Sequence, residues 1–257
     1  MNMKFELNRA QLKNIALVFM VLDNVWLRFS ASFSSMAHLA TRFVAPLFAW
    51  LMVDGFFHTK SRGHYCRRLW IAAILMQVGN VISFAIFKEK GITDNIFLTL
   101  ALGFTTIWIF DMAKTTKQHG KKIRLRALAI ALTALGLALS IVLYIPLPFG
   151  SAIMLEGGLQ LIPFILFAYF FHDSKWKQAV AILAYSFLMF FTLYGGIGGV
   201  QGFDMFCVNS DWMTFLVIPF MFLYNGNEGR KSSFGKWFFY IFYPSHLWII
   251  AILSVVL

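Results

Sequence analysis

The stretch QLKNIALVFMVLDNVWLRFS, residues 11–30, is apolar at most positions and carries only Lys13, Asp23 and Arg28 as charges. A helix needs about 20 mostly apolar residues, each rising about 1.5 Å, to cross the hydrocarbon of a bilayer. The stretch therefore reads as a first transmembrane helix. More runs of the same kind follow, and no small-residue cleavage pattern closes the first, so it is expected to be retained rather than removed as a signal peptide, with the mature chain beginning near Met1.

Working outward, apolar stretches bounded by charges or Gly/Pro clusters give spans at 11–30, 36–57, 68–87, 95–112, 124–145, 151–171, 177–195, 212–225 and 234–256. The fold class is all-α, a polytopic transmembrane bundle of about nine spans. Eight is the alternative, because WMTFLVIPFMFLYN at 212–225 is short and contains Pro219, which suits a kinked or re-entrant element. The 257 residues leave no room for a further soluble domain, so residues 1–257 are expected to form one integral membrane domain. Composition agrees: 60% of residues are hydrophobic, 13% are charged and mean hydropathy is +0.72, whereas a soluble domain is about a quarter charged.

The net charge of +11 would suit a nucleic-acid binder, but the basic residues cluster between apolar runs, as the positive-inside rule requires, so no nucleic-acid partner is expected. Eighteen of the 22 Lys and Arg, all but Arg28, Arg42, Lys88 and Lys90, fall on one side, in the N-terminal segment, in alternate loops or at the span ends beside them. That alternation places the N-terminus inside and, for nine spans, the C-terminus outside. Cys66 and Cys207 then lie on opposite sides, and no disulfide between them is expected.

Ionisable groups inside spans cost roughly 2.5 to 3.5 kcal/mol on insertion scales, so each asks for a partner or a function. Asp23 and Asn24 with Arg28 in the first span, Arg42 beside Pro46 in the second, Asn80 in the third, Asn95 and Thr99 in the fourth, Glu156 and Gln160 in the sixth, and His246 after Tyr243 and Pro244 in the last fall at similar depth. Asp23 or Glu156 pairing with Arg42 would cross-link a bundle; the whole set suits a polar cavity holding a substrate. A histidine with a carboxylate in reach makes a general base, because imidazole titrates near neutral pH.

The segment HTKSRGHYCRR, residues 58–68, reads as a solvated inner loop, or as a site where Arg62, Arg67 and Arg68 hold the phosphates of a nucleotide-bearing donor. His58 and His64 lack metal-ligand spacing, and no metal is expected. The outer stretch GGIGGVQGFDMFCVNS, residues 195–210, reads as a connector or a lid. There is no phosphate-binding glycine loop, dinucleotide fingerprint, serine elbow or internal repeat.

LKNIALVFMVLDN at 12–24, TRFVAPLFAW at 41–50, GFFHTKSRGHYCRRLW at 55–70, DNIFLTLALG at 94–103 and FYPSHLWIIAIL at 242–253 together resemble the TraX family, in the family's order and over nearly the whole chain. TraX proteins are named for a conjugation-associated enzyme that acetylates the N-terminus of pilin, and the family is similar to the acyltransferase-3 and heparan-alpha-glucosaminide N-acetyltransferase membrane enzymes. The resemblance implies transfer of an acetyl or other acyl group from acetyl-CoA, or another acyl-CoA, inside the cell to a peptide, envelope sugar or small-molecule acceptor outside. The lipid bilayer is the other partner, and a homo-oligomer is compatible with it.

Where the family usually reads Asp-His in the first span, this chain has Asp23-Asn24, with Lys13 eleven positions before Asn24. An amide cannot take a proton at neutral pH. Three readings follow: His246 moves the proton, the chain keeps binding without catalysis, or Asn24 was introduced to trap an inactive state. The residues expected to matter are Asp23, Asn24, Arg42 and His246 for chemistry, with Arg42 and Asn95 on the thioester oxyanion. Lys13, Arg62, Arg67 and Arg68 are expected to hold donor phosphates, and Asn95, Glu156, Gln160 and Tyr243 the acceptor. A binding or transport protein for a small polar substrate is the alternative.

Overall fold

The structure is a computed structural model that describes residues 6–29, 35–141, 145–192, 210–229 and 233–256, the side chains of 35–37 and 233–236 excepted. Its elements are α1 (Arg9–Phe29), α2 (Ser35–Thr41), α3 (Val44–His58), α4 (Arg62–Phe87), α5 (Ile96–Thr115), α6 (His119–Ile141), the strands β1 (Ile145–Pro146) and β2 (Ala152–Ile153), α7 (Gly158–Phe170), α8 (Lys175–Thr192), a 3-10 segment (Asp211–Val217) running into α9 (Ile218–Leu223), and α10 (Ser233–Val256). The chain divides into two compact units, Met1–Leu51 with Phe171–Leu257, and Met52–Phe170.

Six helices among the described residues are long and apolar enough to cross a membrane: Arg9–Phe29, His38–His58, Arg62–Lys90, Ile96–Thr115, His119–Ile141 and Trp237–Val256. Their outward faces are apolar too. On α4, Ile71, Ile74, Leu75, Val78, Ile82 and Ile86 recur at helical spacing and are all exposed. Such a stripe would be a liability in water and is the expected surface against lipid. The chain is a multi-pass membrane protein.

In the first unit α1 packs against α2 and α10, and α8 against the 3-10 segment. Ahead of α1, Leu7 is held to the end of α9 by Leu7 N–H to Leu223 O at 2.8 Å and Asn225 N–H to Leu7 O at 3.0 Å. The second expected span, 36–57, is two helices separated by a turn at Arg42 and Phe43. Proline explains the break. Pro46 has no N–H to give the Arg42 carbonyl, and its ring crowds that carbonyl, so an unbroken helix through 42–46 is disfavoured by about 3 kcal/mol. Pro46 instead occupies the first turn of α3, where the N–H would have no partner anyway.

In the second unit α5 packs on α4, α6 and α7. Gly103 makes the contact with α7 close: a Cβ there would lie 2.5 Å from Ile165 Cδ1. Asn95 caps α5, its Oδ1 accepting Leu98 N–H at 3.3 Å, and Ser61 caps α4 by accepting from His64 N–H.

Several expected boundaries move. The basic residues Arg62, Arg67 and Arg68 stand on the first turns of α4 rather than in a loop, and α6 starts at His119, so Lys121, Lys122, Arg124 and Arg126 are helical. The segment 151–171 contributes only the thirteen residues of α7, preceded by the β1–β2 hairpin and by a turn at Glu156 and Gly157, where Gly157 takes φ +58. Thirteen residues rise about 20 Å, short of the roughly 30 Å hydrocarbon layer. Asp211–Leu223 is equally short, with Pro219 at the start of α9. Cys66 is a buried free thiol; Cys207 and most of the 195–210 stretch lie outside the described residues.

Candidate functional site

Polar groups in the first unit gather around Asp23, on α1. Its Oδ1 receives Arg42 Nη2 at 2.6 Å and Thr41 Oγ1 at 2.6 Å, and stands 2.9 Å from His38 Nδ1. The Pro46 break makes this geometry available. Ending α2 at Thr41 leaves the His38 carbonyl without a helical partner, and it accepts Arg42 Nε at 3.1 Å and lies 2.6 Å from Thr41 Oγ1. Arg42 thus folds back over its own helix end and reaches two carboxylates, Asp23 through Nη2 and Asp211 through Nη1 at 2.6 Å.

Two groups face the imidazole at Nδ1, the Asp23 carboxylate and the Arg42 guanidinium, each at 2.9 Å. An unprotonated Nδ1 would face the Asp23 oxygen lone pair to lone pair, whereas an Nδ1–H makes a charge-assisted hydrogen bond to it. Arg42 Nη2, which can only donate, also stands 2.9 Å from Nδ1 and opposes a proton there; in the tautomer that bonds Asp23 the basic lone pair is on Nε2, which has no hydrogen-bond partner among the described residues. The ring is clamped from the side: Trp26 stacks on His38 with centroids 3.9 Å apart and planes 18° apart. The side chains of His38 and Arg42 are 7% and 11% exposed and Asp23 22%, while Asp211 opens to 53%. With a neutral imidazole the cluster carries one net negative charge. It also holds an orphan, since Trp26 Nε1 is buried with no partner among the described residues, a state costing about 1–3 kcal/mol.

A second pair joins α1 to α10. Asn24 Nδ2 donates to Met20 O at 2.9 Å and to His246 Nε2 at 3.2 Å. His246 Nδ1 lies 3.0 Å from the Phe242 carbonyl, which can only accept, so Nδ1 bears the proton and Nε2 takes the Asn24 hydrogen. The expected base thus has its lone pair engaged by the Asn24 amide. Tyr243 is buried beside it, with ring contacts to Phe239 and His246. Lys13, on the same helix as Asp23, is half-buried and has no hydrogen-bond or ion-pair partner among the described residues.

The remaining expected residues belong to the second unit, and several are structural there. Asn95 donates Nδ2 to Ala73 O at 3.1 Å and Gln77 Oε1 at 3.2 Å while its Oδ1 caps α5, so both ends of its amide are engaged. Glu156 lies in the turn before α7 and accepts Thr99 Oγ1 at its backbone carbonyl, and Gln160 is buried in the first turn of α7. Arg62 is neutralised by Asp111, Nη1 to Oδ2 at 2.5 Å, and lies over Phe56. Arg68 lies over Tyr65 with a buried, partnerless Nε, and Arg67 is exposed without a partner among the described residues. Those two suit an anion better than Arg62 does.

The sequence reading omitted His38, Asp211 and Trp26. The usable signal was the spacing in HLATR, residues 38–42: histidine and arginine four apart meet on one helix face beside a break that Pro46 announces.

The family model described as TraX protein matches residues 8–254. The chain is also 25% identical to a probable fimbrial assembly protein FimC, serogroup H1, of Dichelobacter nodosus, over 96% of each chain. No solved structure matches it. The match to the family model covers α1 through nearly all of α10, including Asp23, His38, Arg42, Asp211 and His246, and the chain belongs to the TraX family.

Proposed function

We propose that the chain is an integral membrane acyltransferase, most simply an acetyltransferase, that moves an acyl group from a cytoplasmic coenzyme A thioester to a nucleophile at the outer side of a bacterial cytoplasmic membrane. The observation that carries this reading is a clamped imidazole, His38, stacked on Trp26, with Nδ1 2.9 Å from Asp23 and no partner at Nε2 among the described residues. His38 Nε2 takes the proton of the acceptor amine or hydroxyl as that atom bonds to the acyl carbon. Asp23 steadies the imidazolium. His38 then returns the proton to the sulfur as the carbon–sulfur bond breaks, so no other reactant is needed. Three of the five Arg42 donors are committed to His38 O, Asp23 and Asp211, which makes Arg42 a positioning residue.

Lys13 stands ten residues before Asp23, about 15 Å along α1, and suits the donor phosphates; Arg67 and Arg68, in the second unit, are separate candidates for the same role. The basic-residue alternation supports an inward-facing N-terminus. The fimbrial assembly description of the relative supports a pilus subunit, or another envelope component, as acceptor.

The test is acetyl transfer from labelled acetyl-CoA by membranes holding the protein, with an envelope extract as acceptor. Transfer by the wild type that falls about 10²- to 10⁴-fold in His38→Gln is expected. No transfer, with no protection by acetyl-CoA against thermal unfolding, would overturn the proposal. A second reading, a catalytically silent binding or transport protein, is supported by Asn24 in the histidine position, and solute accumulation in vesicles without any donor would establish it.

A further inference from the structure

The acyl-transfer centre described above has a base and its positioning groups but lacks a donor for the charge that builds on the acyl oxygen. The oxyanion needs one, held close to the imidazole that deprotonates the nucleophile. The groups expected to serve already hold other partners. Asn95 uses both ends of its amide, Asn24 gives its amide hydrogens to Met20 O and His246 Nε2, and Arg42 is spread between two carboxylates and a carbonyl.

Trp26 is different. An indole nitrogen only donates, and buried ones usually have an acceptor. Trp26 Nε1 is buried, the residue being 8% exposed, and has no acceptor among the described residues. Its ring lies flat against His38, with centroids 3.9 Å apart, so the unused N–H belongs to a ring in contact with the imidazole. Asp23, Thr41, Arg42 and Asn24 are paired, while Ser210 Oγ, beside Asp211 in the chain, is a second buried orphan among the described residues.

We propose that the Trp26 indole N–H is the oxyanion donor of this centre, bonding the acyl carbonyl oxygen of the thioester as the nucleophile adds at its carbon. The proposal rests on the acyltransferase reading. It assigns a catalytic role to a residue whose packing alone would mark it as core. As the carbonyl becomes tetrahedral its oxygen gains charge and its bond to Nε1–H strengthens. When the carbon–sulfur bond breaks, the charge leaves with the sulfur, and the N–H is vacant again.

The test compares wild type, Trp26→Phe and a variant carrying 3-benzothienylalanine at position 26, which keeps the indole shape and replaces N–H by sulfur, with His38→Gln beside them. In each, kcat and KM for acetyl-CoA and the thermal unfolding temperature are measured. The expected result is a fall in kcat of about 10²- to 10³-fold in both Trp26 variants, with KM for the donor nearly unchanged and the fold retained. Should Trp26→Phe misfold, the benzothienyl variant decides. Unchanged kcat in a folded variant, or a loss confined to KM, overturns the Trp26 role and leaves the acyltransferase reading intact so long as His38→Gln is dead. A wild type without transfer overturns both.

Discussion

Asn24 gives a hydrogen to His246 Nε2 across 3.2 Å, and His246 gives its own Nδ1–H to the Phe242 carbonyl at 3.0 Å. The pair ties α1 to α10 and occupies the lone pair a base would use. His246→Gln should therefore lower acetyl transfer less than tenfold and stability by about 1 kcal/mol. Initial rates and unfolding in detergent check this; a rate loss as deep as that of His38→Gln would move the base to His246.

Arg42 balances Asp23 in a mostly buried setting, so removing it strands a carboxylate. Arg42→Met should destabilise the protein by about 3–5 kcal/mol, and Asp23→Leu on top of it should cost less than the separate changes predict. Denaturation of the four proteins of the double-mutant cycle measures the coupling, and strict additivity would count against the pair.

The arginines at the start of α4 should divide by role. Arg62→Ala leaves Asp111 without its guanidinium and is expected to lower stability by about 1–3 kcal/mol. Arg67→Glu touches nothing in the fold and should stay within about 0.5 kcal/mol of wild type while raising KM for acetyl-CoA. Equal KM values for Arg67→Glu and wild type would remove Arg67 from donor binding.

Gly103 sets the approach of α5 to α7. Gly103→Ala should cost about 1–3 kcal/mol by forcing Ile165 aside, and Ile165→Val in the same chain should recover part of it. Thermal unfolding of the single and double variants reads the effect directly; no recovery would mean that the strain lies elsewhere.

The long helices were legible because hydropathy alone identifies an apolar run of membrane-crossing length, as it did at 11–30 and 95–112. It failed at 151–171, where a hairpin bounded by Pro146, Pro148 and the Gly157–Gly158 pair is as apolar as a helix. Asp23 and Arg42 were legible as candidates because charge inside a span is costly. Their partner His38 was not, since it lies in a short polar stretch and takes its meaning from a helix break and from a tryptophan twelve residues earlier. Asp211 was beyond reach for another reason: nothing local distinguishes it from any acidic residue at the edge of a span.

Pro46 separates two demands that a single helix would set against each other. A rod running unbroken from residue 35 to residue 58 would satisfy its own carbonyls and sit well in lipid, but it would have no spare backbone acceptor to bend Arg42 toward Asp23. By withholding one hydrogen, the proline ring turns a membrane anchor into a scaffold with an internal corner. The polar cluster around Asp23 therefore sits at a helix break, and a Pro46→Ala chain would be expected to insert as well as the parent while losing the alignment of His38.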